Sequence, residues 1–184
     1  MGLLDMFRGK KDEEPEFDPL ADLVLAKLRV GYLVDYDMET WEVTAHNRYR
    51  WNSGETTEEW ELTLGRKKRY LELGEDDGPC WTLARKMPIG KVGSELRDHI
   101  LKHEDPPDEV TVEGVTYYLD ESDGGHFYPG GADAGEPLIK WDLVDEADEA
   151  FLTLEQWGET ELEAALGTYV EEYQFTNILP GQPG

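Results

Sequence analysis

A segment written twice constrains this chain more than any other feature. Trp60-Glu61-Leu62 returns as Trp141-Asp142-Leu143, and Tyr70-Leu71-Glu72-Leu73 returns as Phe151-Leu152-Thr153-Leu154. Trp141 lies 81 residues beyond Trp60, and Leu152 and Leu154 lie the same distance beyond Leu71 and Leu73. Upstream, Glu39-Thr40-Trp41-Glu42-Val43-Thr44 is matched at a shorter offset by Glu113-Gly114-Val115-Thr116-Tyr117-Tyr118. An ordered set of matches at a fixed period points to a duplicated structural unit. It predicts that Trp60 and Trp141 both face a core, that Leu71 superposes on Leu152, and that Leu73 superposes on Leu154.

The composition suits strands. Six Trp and nine Tyr supply flat side chains that fill a pleated face, and nineteen Gly and ten Pro supply turns. The charge is extreme, with 17 basic against 42 acidic residues and a net of −25. Such a surface repels phosphate backbones, so nucleic acid is not an expected partner. Adaptation to high salt and an ordinary acidic protein are the two readings of so much acid. The single cysteine, Cys80, excludes an internal disulfide framework and a cysteine-based zinc cluster. No apolar run reaches membrane-spanning length, and the start lacks a secretory cleavage pattern, so a cytoplasmic location is expected.

Four stretches follow along the chain. Residues 1–16 read as an amphipathic tag, in which Leu3, Leu4 and Phe7 precede Arg8, Lys10 and Lys11, followed by an acidic linker. That composition suits weak contact with a membrane surface, peripheral at the inner membrane, or else a frayed terminus. Residues 17–90 read as a helix opened by Asp18-Pro19, then short strands. Residues 91–178 read as a second helix over Ser94 to His103 and a second strand set. Its last strand runs from Thr160 to Phe175, with Gly167 as a bend. Residues 179–184 read as a disordered tail.

With these elements placed, Val30-Gly31-Tyr32-Leu33-Val34-Asp35-Tyr36, Trp41-Glu42-Val43 and Glu58-Glu59-Trp60-Glu61-Leu62 can be set beside known patterns. So can Tyr70-Leu71-Glu72-Leu73, Val112-Glu113-Gly114-Val115-Thr116-Tyr117-Tyr118-Leu119, Leu154-Glu155-Gln156-Trp157 and Gly167. Over about residues 28–178 the chain resembles a bacterial family known as domain of unknown function 4178. The resemblance implies a cytoplasmic protein with no assigned activity. It also implies neighbouring genes for phage-shock-type membrane-stress proteins and polyamine-synthesis enzymes.

Candidate chemistry is sparse. His99 and His103 share one face of the second helix, a spacing that can hold a metal, but ordinary packing or exposure is the favoured reading. Asp120-Glu121-Ser122-Asp123-Gly124-Gly125-His126 begins like a calcium loop, yet position twelve is Gly131 where a bidentate Glu is required, so a flexible acidic loop is expected. No nucleophile elbow or phosphate loop is present, and carboxylate pairs are too abundant to single one out. No catalytic, cofactor or metal residue is assigned.

The most specific constellation is electrostatic. Arg66, Lys67, Lys68 and Arg69 occupy the hairpin turn of the first copy, where Asp145, Glu146, Asp148 and Glu149 occupy that of the second. Solvated tips are one reading, and pairing between halves or between molecules is the other.

The expected fold is mainly β (α+β). It comprises two similar small antiparallel sheets or half-barrels from an internal duplication, each preceded by a short helix. The expected function is a non-enzymatic cytoplasmic interaction module with a protein partner, in a membrane-stress system, capable of self-association. The alternative is a small-ligand protein that binds a polyamine or other cation, or an accessory to a polyamine-modifying enzyme. A pocket lined by Trp, Tyr and carboxylates at the junction of the halves would favour the alternative.

Overall fold

The structure is a computed structural model that describes residues 23–75 and 78–181. Leu3, Leu4 and Phe7, and the start of the first expected helix at Asp18-Pro19, lie outside the described residues.

A 3-10 turn, Leu25–Lys27, leads into five strands, β1 (Leu33–Tyr36), β2 (Glu39–Trp51), β3 (Thr56–Leu64), β4 (Lys67–Glu75) and β5 (Pro79–Met87). Two short helices follow, α1 (Ile89–Val92) and α2 (Leu96–His103). Then come β6 (Glu109–Val112), β7 (Val115–Tyr128), β8 (Glu136–Asp145), β9 (Ala150–Trp157), β10 (Glu161–Val170) and β11 (Phe175–Leu179). Glu104, in the left-handed region at φ 60°, ends α2 just before Asp105-Pro106-Pro107.

All strands belong to one antiparallel sheet in the order β11-β1-β2-β3-β4-β5-β10-β9-β8-β7-β6. A further pairing of β2 with β7, Arg48 to Trp51 against Tyr128 to Gly125, closes it. Eight strands, β2 to β5 and β7 to β10, therefore form one closed barrel. The expectation of two separate sheets or half-barrels is corrected by this seam and by the β5–β10 pairing, which joins residues on either side of the expected boundary at 90. Closure removes the edges that two small open sheets would leave unpaired. The expectation of a helix before each half is also corrected. Both described α-helices lie between β5 and β6, and only the 3-10 turn precedes β1 among the described residues.

The pairings of β1–β5 and of β6–β10 follow the same order. Each first hairpin turns through two left-handed residues, Asp37-Met38 (φ 49° and 60°) and Glu113-Gly114 (φ 53° and 87°), the geometry of a type I′ turn. Each second strand bulges at a matching point, between Val43 and Ala45 and between Leu119 and Glu121. By turn and bulge, Trp41 corresponds to Tyr117 and Val43 to Leu119, so the upstream match shifts by two residues from the expected alignment. The downstream match shifts too. Trp60 pairs with Leu71, whereas Trp141 pairs with Leu154, so by register Leu154 is the counterpart of Leu71, and neither expected equivalence, Leu71 with Leu152 or Leu73 with Leu154, holds. The second hairpin has a longer tip, which displaces its return strand.

Alternation gives the barrel wall two unlike faces. Trp41, Val43, Trp60, Leu62, Leu71 and Leu83 share the outer face of the first five strands and pack beneath Leu25, Leu28, Val34 and Phe175. The Trp60 indole N–H donates to the Leu28 carbonyl at 3.0 Å. Trp141, Leu143, Leu152 and Leu154 share the outer face of the other half and pack beneath Val92, Leu96, Ile100, Val110 and Val112. Trp60 and Trp141 are 1% and 2% exposed, as expected of core positions. The apolar cores therefore lie outside the barrel wall, each under its own cover. Among the described residues no helix is long and apolar enough to cross a membrane.

Three smaller expectations also change. Asp120 to His126 is not a flexible loop but the middle of β7, and its Gly125 sits where a Cβ would come within 2.7 Å of the Arg50 carbonyl and the Trp51 ring. Gly167 is not a bend, because β10 runs through it. The absent side chain leaves room for the Phe151 ring, which a Cβ would meet at 2.2 Å. Leu179 belongs to β11, and a Cβ on Gly181 would strike the Gly31 carbonyl, so the chain stays ordered past the expected start of the tail.

Candidate binding site in the barrel lumen

The lumen takes the other side of every wall strand, and there the alternation places charge. Glu59 and Glu61 alternate with Trp60 and Leu62, Glu72 with Leu71 and Leu73, and Glu155 with Leu154. Lys86 projects from β5 and Lys140 from β8. Glu59 and Glu155 are the two buried charged residues of the described chain, at 2% and 8% exposure.

Along the seam between β2 and β7 the lumen is apolar. Tyr49 stacks on Trp51 at 5.1 Å and contacts Phe127 at 4.9 Å, and Phe127 meets Trp157 edge-on. This aromatic wall steadies the polar groups beside it. Glu59 accepts hydrogen bonds from the Asn47 amide at 2.7 Å and the Tyr49 hydroxyl at 3.3 Å. The Trp51 indole N–H donates to the Thr57 hydroxyl at 2.9 Å.

Each luminal lysine sits between a carboxylate and an aromatic ring. Lys140 Nζ lies 2.7 Å from Asp142 and 4.8 Å from the Trp51 ring centroid. Lys86 Nζ lies 2.7 Å from Glu163 and 4.9 Å from the Tyr70 centroid. Burial works against the Lys140 charge, but Asp142, Glu72 and Glu155 outweigh it and hold the ammonium above its ordinary range. The same balance raises Lys86, through Glu163, Glu155 and Glu59. The carboxylates move the opposite way. Burial pushes Glu72 up to about 8 and Glu155 up to about 7, with their acidic neighbours adding to the shift and the lysines opposing it. Burial likewise raises Glu59.

One end of the lumen opens into a cavity of about 340 Å³, walled by strands from both sides of the two seams. That volume lies within the range of small-molecule sites, and an eight-stranded barrel is wide enough to hold one small ligand. Seven carboxylates line it, Glu55, Glu72, Glu75, Asp120, Glu121, Asp123 and Asp142, against the single ammonium of Lys140. Trp51, Phe151 and Tyr169 supply aromatic surface, and Cys80 lies on the wall, half-buried. A smaller void beyond it shares Glu72, Phe151 and Thr153 and reaches Glu59, Lys86 and Glu155.

The residues singled out by charge fall elsewhere. Every neighbouring pair of strands is antiparallel, so β3 and β8 run in opposite directions and their following turns lie at opposite ends of the barrel. Arg66 occupies the first of these turns, and Lys67, Lys68 and Arg69 already belong to β4. Lys67 pairs with Glu39, Lys68 with Glu61 at 2.8 Å, and Arg69 lies over the Trp41 ring at 5.5 Å. Asp145 caps its own turn, accepting from the Glu149 and Ala150 amides at 2.8 and 3.1 Å, and Glu146, Asp148 and Glu149 are exposed. No ion pair joins the two runs among the described residues, so an internal clasp is not formed. The His99 and His103 rings lie 4.5 Å apart on α2, and no metal-holding group of side chains occurs among the described residues.

Glu59, Glu72, Lys86, Lys140, Asp142 and Glu155 were not singled out by sequence reasoning. Their signal was a carboxylate or lysine at alternate positions inside strongly apolar strands. Alternation alone reads as a solvated face, and only closure of the barrel turns that face inward.

The chain is 28% identical over 182 residues to an uncharacterized protein of Aquifex aeolicus (strain VF5), covering 98% of this chain and 99% of that one. No solved structure matches. The family model for Domain of unknown function (DUF4178) matches residues 29–172, and the chain belongs to that family.

Proposed function

We propose that this protein is a non-enzymatic binding protein whose barrel lumen takes a small organic cation carrying more than one ammonium group, a linear polyamine being the simplest case. The observation that carries the reading is the open cavity with seven carboxylates, three aromatic side chains and one ammonium. Carboxylates offer charge-assisted hydrogen bonds to ammonium groups. Aromatic faces attract cations and also cover the methylene segments between them. Raised Glu72 and Glu155 fit the same reading, because buried carboxylates whose neighbouring lysines do not offset the burial hold protons until a cation replaces them.

Part of the proposal is that the two wall halves are copies of one unit, which makes the lumen a site between copies. The matched turns and bulges support this. The interaction module expected from sequence, with a cytoplasmic or membrane-peripheral setting, rests on the tag and on the two charge runs. It is tested separately by deletion of residues 1–11 and by charge reversal.

The test of the binding reading is calorimetric titration with 1,4-diaminobutane and spermidine, set against sodium and magnesium chloride at matched ionic strength. Saturable binding that weakens at least several-fold in Asp142→Asn and Glu72→Gln supports the reading. Heats no larger than those of the salts would remove it.

A further inference from the structure

We propose that the inner end of the cavity is an ammonium subsite that the protein fills with its own Lys140, so that an incoming ammonium competes with this side chain for Asp142 and the Trp51 face. The inference rests on the binding reading above and adds the residue that sets its affinity and charge selectivity.

The geometry is that of a bound ammonium. Lys140 Nζ makes one short contact to a carboxylate, Asp142 at 2.7 Å, and lies 4.8 Å from the Trp51 centroid. In register, Lys140 stands between Asp123 on β7 and Glu155 on β9. Glu72, on β4, lines the same cavity as Lys140. Asp142 is itself positioned, because the Thr153 hydroxyl donates to its other oxygen at 2.6 Å. Neither the Glu72 nor the Glu155 carboxylate has a side-chain hydrogen bond or a close ion pair among the described residues, and Glu155 is 8% exposed. The inner end therefore has acceptor capacity beyond what one lysine uses.

A tethered ammonium at such a point has two consequences. It lowers the affinity of the cavity for any free ammonium, because a like charge must move aside or be approached closely. It also raises the number of positive charges a ligand needs in order to displace it. Lys140 is thus a selectivity residue rather than a structural pair, and its replacement should open the site.

Two variants test this. Lys140→Ala removes the stem and the ammonium and should lower Tm near neutral pH. n-Propylammonium chloride should restore part of the loss beyond what sodium chloride does at equal ionic strength, with a smaller change in wild type. Lys140→Met keeps the stem, protecting the test against loss of folding. It should bind 1,4-diaminobutane roughly tenfold more tightly than wild type, the scale of one short-range charge contact. No specific rescue of the Ala variant, together with unchanged or weaker binding in the Met variant, overturns the subsite. If wild type binds the diamine and neither variant responds, the subsite fails while the binding reading stands. If the Ala variant is rescued and wild type binds no diamine at millimolar concentration, the subsite stands and the binding reading fails.

Discussion

Glu59 and Trp60 are adjacent in sequence and almost equally buried, at 2% and 1% exposure, yet they belong to opposite sides of the wall. Trp60 faces outward into a core of aliphatic and aromatic side chains, and its indole N–H is satisfied by Leu28. Glu59 faces inward among Tyr49, Lys86 and other carboxylates. The outer layers gain from removal of apolar surface from water. The lumen works against folding, since burying carboxylates costs free energy unless each is paired or protonated. The molecule thus places its apolar packing outside the barrel and its buried charge inside.

Truncation on the two faces should separate these contributions. Trp60→Ala and Trp141→Ala should each cost about 3–5 kcal/mol, read by urea unfolding, because each leaves a large cavity in a closed core. A loss under 1 kcal/mol at either position would contradict the placement of the cores outside the wall. Register sharpens the same contrast within β4. Leu71, fully buried, should cost about 2–4 kcal/mol on change to Ala, and the half-buried Leu73 clearly less. Equal losses would show that Leu73, not Leu71 alone, carries the packing.

The lumen should respond in the opposite sense. Glu72 titrates near 4.5 when unfolded and near 8 when folded, so its contribution to stability is full below about 4.5 and is lost as pH rises through about 8. For Glu72→Gln, which has no proton to lose, the shift from 4.5 to about 8 sets a ceiling of about 4 kcal/mol at pH 8, and solvent access to the half-buried side chain brings the expected gain to about 2 kcal/mol, a rise in Tm of roughly 4–8 °C. The gain should vanish near pH 4.5. A variant destabilised at pH 8 would mean that the Glu72 carboxylate is satisfied as an anion. The smallest effect belongs to the exposed charges. Reversal of Arg66, Lys67, Lys68 and Arg69 to Glu should cost no more than about 1 kcal/mol for each pair lost. Head-to-tail contact between molecules predicts that this variant sediments more slowly than wild type at low salt. Recovery with Lys at Asp145, Glu146, Asp148 and Glu149 would identify those residues as the counterpart, and identical sedimentation would leave only solvated tips.

Much of the wall was legible. Periodic Trp and Leu positions located β3, β4, β8 and β9, and the Trp157-Gly158 break with the repeat pointed to strand for β10, against the helical propensity of Glu161 to Leu166. The second helix was found from Leu96 and Ile100, both buried. Asp120 to His126 misled, because Gly, Asp and Ser in one run normally mark a loop. Here the glycines let β2 and β7 approach closely at the seam. The equivalence of Leu71 with Leu152 misled for a different reason. A gapless match in sequence carries no information on hairpin length, and a longer tip moves the register of the return strand.

By itself the sequence determined most of the wall strands, and that Trp60 and Trp141 each face a core. That information is local, since a period of two is the same however a sheet is curled. It also determined the excess of acid. Only the tertiary structure decided that the charged face would line a lumen and the apolar face would lie outside, under the 3-10 turn, β11, β6 and the helices. That choice was made by two long-range pairings, β2 with β7 and β5 with β10. Until they close the wall, Glu59, Glu72, Glu155 and Lys140 are indistinguishable from the residues of any solvated strand face.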